Sequence, residues 1–137
     1  MASRFASDYG QKLLHMAAMG NAWAEDYKYA GAAAQNDKVY LGIIPAGVRV
    51  YPPTVLHTAG GASCTLTLGF EPVDGTPTAD TDYWLNAADV AAAGAVTSTA
   101  EPITFDRPVK LVATIGGAAF ASGSITALVT GKTVGAA

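Results

Sequence analysis

The chain is short of charge, of cysteine and of long apolar runs, and each shortage excludes something. Asp, Glu, Lys and Arg make up 14% of its 137 residues, against about 25% in an average soluble protein. With a net charge of -3, the bulk Lys and Arg that a phosphate backbone attracts are missing, which excludes a nucleic-acid binder working by charge. A disordered polyelectrolyte is excluded as well, because half of the residues are apolar. No apolar run reaches the roughly 18 residues of a membrane-spanning helix. Asp8, Gln11, Lys12 and His15 interrupt the start, so a secretory leader is not expected. Cys64 is the single cysteine, which rules out an internal disulfide and a thiolate metal cluster and fits synthesis inside a cell. The length suits one domain with one core.

What is present divides into two regions. Residues 1–37 form an N-terminal arm rich in Ala and without Val or Ile. Gln11 to Met19 combines good helix formers, with Leu14, Ala17 and Ala18 at helical spacing, and Gly20-Asn21 reads as a stop. Trp23, Tyr27 and Tyr29 follow, and residues 30–37 read as a connector of small residues. Such an arm has too few apolar groups for its own core and must dock, either on its own domain or on a neighbouring subunit. Phe5, Leu13, Leu14, Trp23, Tyr27 and Tyr29 are its candidate partner-binding anchors.

From residue 38 to 137 the period becomes two. Val39, Leu41 and Ile43 alternate with smaller or polar residues, as do Val48 and Val50, then Cys64, Leu66, Leu68 and Phe70. Ile103 and Phe105, Val109 to Ile115, and Ile125 to Val129 repeat the pattern. Pro52-Pro53 interrupts any strand running through it, and Gly60-Gly61 and Gly116-Gly117 mark turns. Six to eight short strands punctuated in this way predict an all-β antiparallel sandwich or small barrel. One short internal helix is expected, with Asn86 as N-cap, Asp89 near its positive end, Ala87 to Ala93 as its body and Gly94 as its stop.

No catalytic set emerges. Gly131-Lys132-Thr133 resembles the tail of a phosphate-binding loop, but Thr126 stands where the leading glycine belongs and no helix can follow. Asp74, Asp80 and Asp82 offer oxygens to a hard cation without the spacing of a known loop, and a solvated loop is the simpler reading. His15 and His57 have no partnering nucleophile, and Cys64 points with Leu66 and Leu68, as a buried inert thiol would. Tyr83-Trp84 reads as a core anchor, with an exposed sugar-binding pair as the alternative. No cofactor, no metal and no enzymatic activity are expected.

Several stretches together resemble the capsid decoration, or cement, proteins of tailed bacteriophages. They are the start Met1-Ala-Ser-Arg-Phe-Ala-Ser-Asp-Tyr-Gly10, Val39-Tyr-Leu-Gly-Ile-Ile-Pro-Ala-Gly-Val-Arg-Val50, Thr65-Leu-Thr-Leu-Gly-Phe70, Asp80-Thr-Asp-Tyr-Trp-Leu85, residues 103–115 and Gly123-Ser-Ile-Thr-Ala-Leu-Val129. The resemblance implies a jelly-roll-like antiparallel β-sandwich carrying the short internal helix and the partly helical arm. It implies a structural virion protein on the outer surface of the capsid, made in the host cytoplasm. Such a protein bridges neighbouring capsomers, stabilises the DNA-filled head, has the major capsid protein as partner and forms a dimer or trimer. Nucleic acid and membrane are not among the partners it implies. The alternative is a virion-borne carbohydrate- or receptor-binding β-sandwich module.

Overall fold

The structure, a computed structural model, describes residues 3–5, 22–75 and 78–134, with the backbone alone at Phe5. Eleven strands and no helix occur among the described residues. They are β1 (Ser3–Phe5), β2 (Ala22–Ala33), β3 (Lys38–Ile44), β4 (Val48–Val50), β5 (Thr54–His57), β6 (Thr65–Pro72), β7 (Asp80–Asp89), β8 (Gly94–Thr97), β9 (Ile103–Phe105), β10 (Val109–Gly116) and β11 (Phe120–Thr133).

Two sheets form a sandwich-like fold. The first has the order β1-β3-β10-β6-β7, antiparallel except for the parallel β1–β3 pair. The second is built on β11. One edge of this long strand pairs with β2 from Phe120↔Ala33 to Lys132↔Ala22, and the other with β5 and then β4. The double proline supplies the break between β4 and β5, since Pro52 and Pro53 carry no N–H for the ladder. Pairing resumes at Thr54, opposite Leu128.

The alternation read in the sequence places the core between the sheets. Val109, Leu111, Ala113 and Ile115 of β10 and Leu66, Leu68 and Phe70 of β6 meet Ile125, Ala127 and Val129 of β11 and Val55 of β5, all in one buried cluster. Each of the larger side chains among them contributes about 1.5–3 kcal/mol when taken from water, and each alanine less. Trp84 joins this cluster, edge-on to Phe70 and Phe105, while Tyr83 donates its hydroxyl to the Glu101 carbonyl at 2.8 Å. The pair is thus a core anchor and not an exposed aromatic platform.

Two expectations change. The internal helix at residues 86–94 is absent: Asn86 to Asp89 end β7, residues 91–93 turn, and Gly94 opens β8. An isolated helix this short is unstable in water, whereas pairing Leu66 with Ala88 and Thr65 with Asp89 satisfies the edge of β6. Asn86, the expected N-cap, lies within β7, and Asp89 closes a turn, its Oδ1 accepting the Ala91 N–H at 2.9 Å. In the arm, residues 22–33 are a full strand of the second sheet, with Trp23, Tyr27, Tyr29 and Ala33 facing its core. The helical stretch expected over Gln11 to Met19 lies outside the described residues.

Candidate interaction surface

The two outward faces of the sandwich differ in kind. That of the first sheet is sealed by charge. Lys38 Nζ on β3 meets Glu71 Oε2 on β6 at 2.6 Å, and the Tyr40 hydroxyl donates to Glu71 Oε1 at 2.9 Å. Because β10 lies between β3 and β6, both contacts arch over β10, where Val112 faces outward between Tyr40 and Gly69. Val112 is fully buried although it is not part of the core cluster. The Lys110 ammonium lies 5.1 Å from the centre of the Tyr40 ring. Burial alone would raise the Glu71 carboxyl, but hydrogen bonds from Lys38 and Tyr40 and the charges of Lys38 and Lys110 outweigh it and hold the group below its ordinary value.

Among the described residues no strand or loop is seen over the outward face of the second sheet. Registered rows run Ala95–Leu56–Thr126–Lys28 and Thr97–Thr54–Leu128–Asp26 across β8, β5, β11 and β2. Thr130 pairs with Ala24 in the next row, and Arg49 and Lys132 stand beyond it. Leu56 is 44% exposed and Leu128 38%. They sit diagonally on adjacent antiparallel strands, a spacing of roughly 7–8 Å that lets long side chains touch. The Thr54 and Thr97 hydroxyls bond each other at 3.0 Å. An open depression of about 310 Å³ lies beside Leu128, between Ala24 and Thr130. The middle of this face thus carries Leu, Thr and Ala, with its charges at the rim, the pattern of a docking surface.

Among the described residues no group of three His, Cys, Asp or Glu is arranged to hold a metal ion. Asp74 faces Arg107 at 3.5 Å, and Asp80 and Asp82 share a hydrogen bond that raises the Asp80 carboxyl. Cys64 is buried, and desolvation, aided by the Asp89 charge, pushes its thiol up and away from the reactive thiolate. His57 is buried on β5, and His15 lies outside the described residues. Gly131-Lys132-Thr133 is the extended end of β11 and not a loop. Its glycine is there for close approach, since a Cβ would lie 2.7 Å from Trp23 Cζ2.

Of the six anchors proposed for the arm, Trp23, Tyr27 and Tyr29 pack into the chain's own core. Leu13 and Leu14 lie outside the described residues, and Phe5 contributes backbone pairing opposite Tyr40. The exposed leucine pair was missed because Leu56 and Leu128 sit in strands whose buried positions gave the stronger signal. The clue available was a large apolar residue on the polar phase of an alternating run.

No protein-family model matches the chain, and no curated protein matches it in sequence. Solved structures do match in fold. A chain of the capsid of Ralstonia phage GP4 aligns with a TM-score of 0.73 and 17% identity, covering 98% of this chain and 99% of that one. A chain of the cyanophage Pam1 capsid asymmetric unit aligns at 0.58 with 17% identity, over 93% and 98%. A chain of the acid-stable capsid of Helicobacter pylori bacteriophage KHP30 aligns at 0.56 with 20% identity, over 82% and 94%. Coverage this complete in both directions means that the matched chains are about the size of this one.

Proposed function

We propose that this chain is a structural, non-enzymatic protein of a tailed-phage virion, which binds the outside of the capsid across neighbouring capsomers and stabilises the DNA-filled head. The observation that carries the reading is the end-to-end fold match to a chain of similar size in a phage capsid structure. The outward face of the second sheet supports it from the physical side. The major capsid protein is the partner, and the chain acts as a dimer or trimer on the virion surface after synthesis in the host cytoplasm.

The energetics follow from the surface. Leu56 and Leu128 are already more than half covered, so completing their burial contributes about 1 kcal/mol each. A single such contact is weak. Repetition over a shell, with each oligomer gripping several subunits, multiplies it through effective concentration. A protein that binds the assembled surface and not free subunits shifts the equilibrium toward the assembled shell by mass action.

Co-sedimentation with expanded heads that lack this protein tests the reading. The wild-type chain is expected to pellet saturably. The Leu56→Glu/Leu128→Glu double variant is expected to remain folded, with a cooperative though lower thermal transition because the glutamate at position 128 would face Asp26, and to lose at least tenfold in affinity. A variant that binds like wild type removes the second-sheet face from the mechanism, and a wild-type chain that stays in the supernatant overturns the capsid assignment.

A further inference from the structure

The N-terminal strand is held by a receptor that exists without it. Asp37 ends the turn between β2 and β3 and is 2% exposed. Its carboxylate oxygen Oδ2 accepts the Ala34 N–H at 3.0 Å, and its carbonyl accepts the Ile115 N–H at 3.0 Å. Asn36 N–H donates to the Ile115 carbonyl at 2.8 Å. The Ile115 bonds hold the main chain of the turn and the Ala34 N–H holds the carboxylate, and none of these three bonds comes from β1. A buried carboxylate is costly without a cation. Arg4 supplies one, its Nε 2.6 Å from Asp37 Oδ2 while its side chain remains 42% exposed.

The strand that brings Arg4 is short, and its side chains reach the same receptor, Arg4 to Tyr29 and Ser3 to Tyr40. It spans three residues, pairs parallel to β3 at the sheet edge, and carries an exposed Ser3. The sixteen residues 6–21 separate it from β2, a chain length that spans at most roughly 55 Å. The radius of gyration of a compact domain of this size is about 14 Å, so the tether is long enough to cross to an adjoining copy. Moving the same strand to the same receptor on another copy preserves every contact, which is why exchange of identical elements is a low-cost route to oligomers.

We propose that the β3 edge and Asp37 form an acceptor site for an extended, arginine-bearing strand, and that its occupant in the oligomer is β1 of a second copy of this chain, with Arg4 as the key. Recognition is strand addition, with backbone bonds supplying affinity and the buried carboxylate supplying selectivity. The inference stands independently of the capsid reading, because it concerns two copies of the purified chain.

Two variants test it. Arg4→Asp and Asp37→Arg each place like charges at the latch when the strand closes on its own chain, and each is expected to run as a monomer. Mixed in equal amounts, the two regain opposite charges only across chains, so a heterodimer is expected that neither forms alone. Should Asp37→Arg fail to fold, Ser3→Cys/Lys38→Cys replaces it, because these positions are paired directly. Oxidised at about 1 mM, the effective concentration typical of tethered partners, it is expected to give disulfide-linked dimers. Exclusively intrachain disulfides at that concentration, or a mixture of charge variants that stays monomeric while both remain folded, would overturn the proposal.

Discussion

At the scale of single residues, two contacts outside the regular strand pattern explain most of what is particular to this chain. Gly42 on β3 lies beneath Tyr27, and a Cβ there would come within 2.6 Å of the ring carbon Cε1. Because Tyr27 is buried, the ring has no room to retreat. Gly42→Ala is expected to cost about 1–3 kcal/mol in chemical denaturation, the range for overpacking a core. Tyr27→Leu should recover part of that loss as non-additivity in a double-mutant cycle. Additive effects would mean that β2 does not seat on β3 in this way.

The Lys38–Glu71–Tyr40 roof makes a separate prediction about pH. Glu71 titrates below its ordinary 4.5 in the folded chain, so its contribution is fully present above that value and is lost as the pH falls through the folded one. Lys38 titrates above its ordinary 10.5, so its contribution is present below that value and is lost as the pH rises through the folded one. At neutral pH both are in place. Glu71→Gln is expected to cost about 1–2 kcal/mol at pH 7, the lower part of the range for hydrogen bonds to charged groups, because Lys38 is partly solvated. Its melting temperature should fall less than that of wild type between pH 7 and pH 3. Equal falls would show that the roof does not depend on the Glu71 charge.

At the scale of elements, legibility followed regularity. Strands β4, β6, β10 and the middle of β11 were readable because one phase of each is apolar and the other mostly is not, whereas in β3 a register shift opposite Leu111 and Val112 changes the phase, so that Ile44 and not the expected Ile43 faces the core. β7 was hidden because it does not keep phase. Between Leu68↔Leu85 and Phe70↔Asp80 it inserts extra residues, Trp84 and Leu85 are buried in succession, and Ala87 adopts φ 51° while its N–H reaches Thr67 Oγ1. Bulges of this kind protect an exposed edge, and they erase the period that sequence reading relies on. β2 was hidden for another reason. Its alanines have high helix propensity, and only tertiary pairing with β11 makes them a strand. Its aromatics at positions 23, 27 and 29 did announce that the segment docks. The exposed docking face was harder to see, since it depends on which strands become neighbours.

The placement of β2 bears directly on truncation. A chain that starts at Lys38 loses Trp23, Tyr27 and Tyr29 from the core, and removing each large aromatic costs about 3–5 kcal/mol. The sum reaches the 5–15 kcal/mol total stability of an ordinary domain. Such a chain is expected to lack a cooperative thermal transition by circular dichroism. A sharp transition at the wild-type temperature would show that residues 38–137 hold the fold without β2.

At the scale of the whole molecule, the edges and faces divide the labour. Strands β1, β8 and β9 are three or four residues long, and β7 is bulged and carries Asp80, Asp82 and Asp89. These short or bulged edges discourage open-ended strand pairing, so ordered assembly is left to the faces, to the one-sided strand β2 and to the β1 exchange proposed above. One face is closed by its ion-pair roof, and the other offers Leu, Thr and Ala over a rigid sheet. A low overall charge keeps that second face compatible with a large protein surface. These surfaces fit the covering and bridging role proposed above.

The most direct test is the temperature at which DNA-filled heads release their DNA, measured with heads lacking this protein and again after adding it to saturation. The account predicts that addition raises the release temperature by several degrees, that the rise saturates with occupancy, and that the Leu56→Glu/Leu128→Glu variant does not produce it. A release temperature unchanged at full occupancy would contradict a stabilising role, even if the chain binds.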